Sequence, residues 1–179
     1  DNGNGTYTVT FKEGTRSKEV TVDGDLYVRS WGGPLYGSGG VDTGKASMEM
    51  WFPLLEKAYA TYKGSYNDIG NGGLSSDVFQ SITGKNGYDV STSWTSADKI
   101  WNTVKSSVDN HLPISAGTHG EDEKALYTNT GVYPDHSYSV LGYKEEGGTK
   151  YVQLRNPWGE SEAGSDGKDD GIFKLKFED

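Results

Sequence analysis

Three residues near the end of the chain have types and spacing that could do chemistry: His136, Asn156 and Trp158. Imidazole is the side chain best suited to exchange a proton near neutral pH. His136 heads the alternating segment Ser137–Tyr143, and Asn156 directly follows a second one, Lys150–Arg155. Lys144–Thr149, with Gly147 and Gly148, reads as the turn joining them into a hairpin. If its midpoint falls near Glu146, His136 and Asn156 face each other across the strands to within a residue of register. Opposed side chains have Cβ atoms about 5 Å apart, close enough for an imidazole–amide hydrogen bond. Both residues sit at the open end of the hairpin, where a cleft can form.

A His held by an Asn suits thiol chemistry. The ring takes the thiol proton and pairs with the resulting thiolate. The amide sets the ring's orientation and, being neutral, does not pin the proton as a carboxylate would. Trp158 is placed to shield that hydrogen bond from water and so strengthen it. Each residue alone has a plainer reading. A His at a strand end is usually structural or solvated, an Asn-Pro pair is usually a turn, and a Trp at a strand–loop junction is usually core.

The rest of the composition sets bounds. The 179 residues allow one domain, or one domain and the remnant of another. Only 32% are hydrophobic, yet 5 Trp, 12 Tyr and 5 Phe supply large surfaces to bury, which argues against wholesale disorder. A net charge of -9 with no basic run disfavours nucleic acid and anionic membrane surfaces as partners. No apolar stretch approaches a membrane span. The chain has no cysteine, so the thiol must come from elsewhere. The composition, rich in Asn, Gly, Ser, Thr and Tyr and free of Cys, leans towards secretion or the cell surface.

Several elements must position the site. Thr6–Phe11 and Lys18–Val22 alternate and read as a hairpin. Asp25–Val28 reads as a short extended piece, and the six glycines from Gly32 to Gly44 read as a linker, with no phosphate-loop ending. Met48–Tyr62 reads as a helix with Trp51, Leu54, Leu55, Ala58, Tyr59 and Tyr62 on its buried face. Pro53 belongs in its first turn and Gly64 at its stop. A tight turn at Gly70–Gly73 precedes a short helix, Ser75–Ser81, capped by Ser75 or Ser76, with Val78, Phe79 and Ile82 buried. Ser96–Asn110 reads as a further helix with Ile100, Trp101, Val104 and Val108 inside. Leu112–Ala116 reads as a strand, Gly117–Pro134 as polar loop, and Ile172–Phe177 as a last strand. The predicted class is α+β: an antiparallel sheet or half-barrel with flanking helices.

Leu154–Glu160 (LRNPWGE), preceded by His136–Gly142 (HSYSVLG), resembles the second catalytic subdomain of the calpain family of papain-fold cysteine peptidases. Trp51–Tyr66 is similar to the same family's WPALLEKAYAKxxGSY helix, and Gly72-Gly73 with Phe79–Gly84 to its GG…F…TG stretch. Val22–Val28 (VDGDLYV) resembles the motif that closes the family's first subdomain. The resemblance covers most of the chain, in order. It implies the C-terminal half of a papain-like fold: residues 1–31 as the closing hairpin of the first subdomain, 32–46 as the linker, and 47–179 as the second subdomain.

The resemblance implies His136 as base, Asn156 as orienter and Trp158 as shield. It also implies that the backbone of Gly73, with Gly72, holds an extended peptide substrate. Asp135 stands where the family usually has Gly, which puts a substrate-side contact in question; its charge favours the imidazolium. The family's nucleophilic Cys and oxyanion-hole Gln lie upstream of anything in this chain. Three readings follow: a cut piece, one chain of a processed enzyme whose partner chain or subdomain carries the Cys, or a non-catalytic peptide-binding or interaction module. The retained His136, Asn156 and Trp158 favour the first two, as does a hairpin beginning almost at Asp1. The parent is then a cysteine endopeptidase, and this chain alone is inactive.

Other signals are weaker. His111 and His119, near Glu121, Asp122 and Glu123, do not have zinc-site spacing. Calpains bind Ca²⁺ in the protease core through loops that are not EF-hands, and Glu160, Glu162, Asp166, Asp169 and Asp170 lie in the matching region. No EF-hand starts at Asp166, since Lys168 and Phe177 occupy its third and twelfth positions. A solvated acidic loop is the simpler reading.

Overall fold

The computed structural model describes residues 1–37, 49–161, 163–164 and 167–178. It is an α+β protein with two antiparallel sheets. The described chain forms two compact units, Asp1–Asp89 and Val90–Asp179. Packing therefore groups the N-terminal hairpin with the helices that follow it. Of the expected linker at 32–46, residues 38–46 lie outside the described residues.

In the first unit, β1 (Thr6–Glu13) pairs with β2 (Arg16–Asp23) across a two-residue loop. Alternation places Phe11, Val20 and Val22 on one face, where they bury against Leu54 and Ala58 of α1 (Trp51–Lys63). Tyr7, Val9, Leu55, Tyr59 and Tyr62 widen that core, and Phe11 stacks on Tyr62 at 4.6 Å. The expected stripe on α1 needs one correction. Trp51 is 64% exposed and its indole N–H donates to Glu49 at 3.0 Å, while Met50 before it packs against the hairpin core. Gly64 ends α1 with φ 131, its N–H donating to the Ala60 carbonyl.

A one-turn helix, α2 (Tyr66–Gly70), follows a Ser65 cap whose Oγ accepts from the Asp68 N–H. The next helix, α3 (Ser75–Thr83), packs on β1, and here the expected buried set was rotated. Ser81 is buried, while Ile82 is 47% exposed and Leu74, rather than Ser75 or Ser76, occupies the cap position. The buried Ser81 hydroxyl is satisfied by donating to the Val78 carbonyl at 2.8 Å.

The second unit is a sheet of order β3-β4-β5-β6 with one long helix, α4 (Ala97–Asp109). Its strands are β3 (Ser115–Gly117), β4 (Ser137–Glu146), β5 (Thr149–Arg155) and β6 (Ile172–Lys176). Tyr138, Leu154, Ala163 and Phe173 form one core cluster. Trp101 of α4 meets Tyr143 and Phe177 edge-on. A 3-10 helix at Glu121–Tyr127 occupies part of the stretch expected to be loop. Among the described residues no helix is long and apolar enough to cross a membrane.

The β4–β5 register differs from expectation. The turn is Gly147-Gly148, with φ 57 and 85, the left-handed backbone a tight two-residue hairpin loop needs. A bulge between Val140 and Gly142 takes back one residue of that shift, and Ser139 pairs with Arg155. Continuing that pairing sets Asn156 opposite Tyr138, with His136 two residues beyond.

Candidate active site

His136 and Asn156 nevertheless meet, on a diagonal rather than face to face. His136 Nε2 lies 2.9 Å from Asn156 Oδ1. Diagonal neighbours on an antiparallel pair are within reach of long side chains. After β5 the chain turns: the Asn156 N–H donates to the Gly171 carbonyl at 2.8 Å, and the Gly159 N–H donates to the Asn156 carbonyl at 3.0 Å.

Asn156 is fully buried, so each of its polar atoms needs a partner. Nδ2 donates to the Ser161 carbonyl at 2.9 Å, and Oδ1 accepts from the Trp158 N–H at 3.1 Å. Together these contacts fix the amide's orientation, because a flip would set NH₂ against N–H and oxygen against oxygen. The atom facing the imidazole is therefore an acceptor. Nε2 of His136 must carry the proton, and a neutral ring then leaves Nδ1 as a proton acceptor.

Aromatic rings enclose the imidazole. Trp158 lies 4.5 Å from it, Tyr138 4.8 Å and edge-on, and Tyr133 6.1 Å. Tyr138 is buried, and its hydroxyl accepts from the Tyr133 N–H at 2.9 Å. Burial pushes the Tyr138 phenol up, so it stays protonated across the neutral range. Trp158 covers one side of the ring while remaining 56% exposed.

The main chain on either side of the ring is also held. Asp135 has φ 49, the left-handed region that favours glycine, and its N–H donates to the His119 carbonyl at 2.7 Å. Thr118 bonds the backbone of His136. Thr118, Tyr133, Ser161 and Gly171 were not singled out from sequence. Each acts through a contact to or from the main chain, at spacings from five to eighteen residues that form no periodic pattern.

Gly72 and Gly73 belong to the first unit, exposed in the turn between α2 and α3, and Gly72 has φ 83. Among the acidic candidates, Asp169 Oδ1 accepts from the Ser161 N–H at 2.7 Å and Asp170 Oδ1 from the Ile172 N–H at 3.0 Å. Asp169 thus helps fix the turn whose carbonyl holds Asn156. Glu160 is exposed, and Glu162 and Asp166 lie outside the described residues. His119 Nδ1 sits 3.1 Å from Glu123. Among the described residues no three His, Asp or Glu side chains converge as a metal site would need.

The family description "Calpain family cysteine protease" matches residues 1–172. The chain is 30% identical to the calpain-type cysteine protease DEK1 of Zea mays over 163 residues, 88% of this chain and 7% of that protein. It is 31% identical, with the same coverage, to the calpain-type cysteine protease ADL1 of Oryza sativa subsp. japonica. It is 31% identical to the calpain-1 catalytic subunit of Mus musculus over 124 residues, 64% of this chain and 16% of that protein. The chain therefore spans a small part of the length of these relatives. With the family matched from the N-terminal hairpin to the start of the last strand, the chain belongs to the calpain family of cysteine proteases.

Proposed function

We propose that this chain supplies the base-bearing half of a Cys-His-Asn endopeptidase site. The observation that carries the reading is the fully buried Asn156, whose amide is locked so that its oxygen faces His136 Nε2. Nδ1 of His136 takes the proton of a thiol supplied outside this cysteine-free chain, and the imidazolium pairs with the thiolate. The thiolate attacks the peptide carbonyl, and the imidazolium returns the proton to the leaving amine. Asn156 keeps the ring oriented through both transfers. The neutral amide accepts from Nε2–H in either protonation state, so it does not compete for the moving proton. Gly72 and Gly73 offer main-chain groups to an extended peptide, and the backbone at Asp135 borders the substrate side of the ring.

In this reading the chain alone is inactive, and its partner is a Cys-bearing subdomain or chain. The absence of any cysteine favours a second reading, a calpain-like module that grips peptides without cleaving them. Fluorogenic-peptide turnover separates the two. The chain alone should give no turnover. A protein holding both this chain and the upstream cysteine should cleave, and His136→Ala should abolish cleavage. Turnover by the isolated chain, or none by the protein with the cysteine, would sink the proposal.

A further inference from the structure

We infer that Thr118 is the positioning residue that fixes the backbone of His136, through a hydroxyl that stands in for a missing rung of the β3–β4 ladder. The ladder's last regular pair is Gly117 with Ser137. One residue further, the Thr118 N–H donates to the His136 carbonyl at 2.9 Å, as the ladder pattern would continue. The reciprocal bond goes to a side chain: the His136 N–H donates to Thr118 Oγ1 at 2.9 Å. The same hydroxyl lies 3.1 Å from the His136 carbonyl and donates to it.

The reason for the substitution is next door. Asp135, with φ 49, turns the chain out of strand geometry and directs its own N–H to the His119 carbonyl. The strands part at the point where His136 must be held. A hydroxyl reaches further than a main-chain carbonyl, and it can accept and donate at once. Valine has nearly the same shape and can do neither.

The consequence falls on the ring. Asn156 fixes the imidazole from the β5 side, with Trp158 and Tyr138 against it. None of those contacts fixes the Cα from which the ring projects. A reactive group held at its tip but loose at its root loses the placement proton transfer needs. Thr118 supplies the root, with three hydrogen bonds to one residue. The effect on catalysis rests on the peptidase reading; the effect on the ring does not.

The test uses Thr118→Val and Thr118→Ser in the 179-residue chain, followed by NMR. With Thr118→Val, the His136 amide should exchange with solvent at least tenfold faster and the Nε2–H resonance should broaden or vanish. Amides of β6 should keep wild-type rates. Thr118→Ser should restore both His136 signals. In a protein that also holds the upstream cysteine, Thr118→Val should lower kcat about tenfold with KM unchanged. Wild-type His136 signals in Thr118→Val would overturn the inference. So would loss of protection spread equally to β6, which would make Thr118 merely structural. If the protein with the cysteine does not cleave at all, the peptidase reading falls, and the NMR result still decides the role of Thr118.

Discussion

Asn156→Ala removes the side chain on which the site converges. Three partners lose their bond: His136 Nε2–H, the Trp158 N–H and the Ser161 carbonyl. At about 1 kcal/mol for each, the loss is roughly 3 kcal/mol. Water reaching the partly exposed Trp158 and His136 trims that figure, and the small cavity left at a fully buried position adds to it. A range of about 2–4 kcal/mol follows. Because the chain has two units, global denaturation would mix two transitions. Native-state hydrogen exchange at the β4 and β5 amides reads the second unit alone. Where exchange proceeds by opening of that unit, 3 kcal/mol corresponds to roughly a hundredfold acceleration. Exchange in β4 and β5 within threefold of wild type, with the fold intact, would show that Asn156 does not anchor the site.

Three further outcomes follow. Gly171 has φ 76, and a Cβ there would meet the Glu160 nitrogen at 3.0 Å and the Asn156 carbonyl at 3.1 Å; Gly171→Ala should cost about 1–2 kcal/mol or more, and amide exchange in β5 and β6 unchanged from wild type would count against it. Asp135 holds a left-handed backbone, so Asp135→Gly should leave stability unchanged or raise it by up to about 1 kcal/mol, whereas clearly faster amide exchange in β4 and β5 would mean that the carboxylate itself holds the turn. Glu56 is half-buried, and burial raises its carboxyl pKa against the opposing pull of the Gly37 N–H bonded at 3.0 Å. A raised folded-state pKa contributes stability below the unfolded value and loses it as pH climbs through the folded one. Glu56→Gln keeps an acceptor for Gly37 and should be more stable than wild type at pH 8, the gap closing towards pH 4. A pH-independent gap would refute this.

Much of the scaffold could be read from the chain because its signals are local. Alternation marked both hairpins, and the stripes of α1 and α4 marked the helices. Gly64 and the Gly147-Gly148 pair served as stop and turn because each needs positive φ. The diagonal meeting of His136 and Asn156 was not legible in detail. The turn centres between Gly147 and Gly148 rather than at Glu146, and the bulge before Gly142, which has no composition of its own, takes back only part of that shift. The α2 turn is too short for periodicity, though Ser65 with Asp68 three residues on was a readable cap. Ile82, being apolar, reads as an inward residue, yet the helix turns Ser81 to the buried side, where a local hydroxyl bond suffices. Asp169 accepts the Ser161 main-chain N–H, a contact across eight residues that the sequence pattern does not mark.

Asn156 holds the His136 ring with Nε2 protonated, which leaves Nδ1 to take a proton. Long-range ¹H–¹⁵N NMR of the imidazole above its pKa tests this most directly, since the two ring nitrogens have separate shifts in a fixed tautomer. The geometry predicts one tautomer, protonated at Nε2 and bare at Nδ1, and its loss in Asn156→Ala. A ring protonated at Nδ1, or one averaging freely between tautomers in the wild-type chain, would contradict the account.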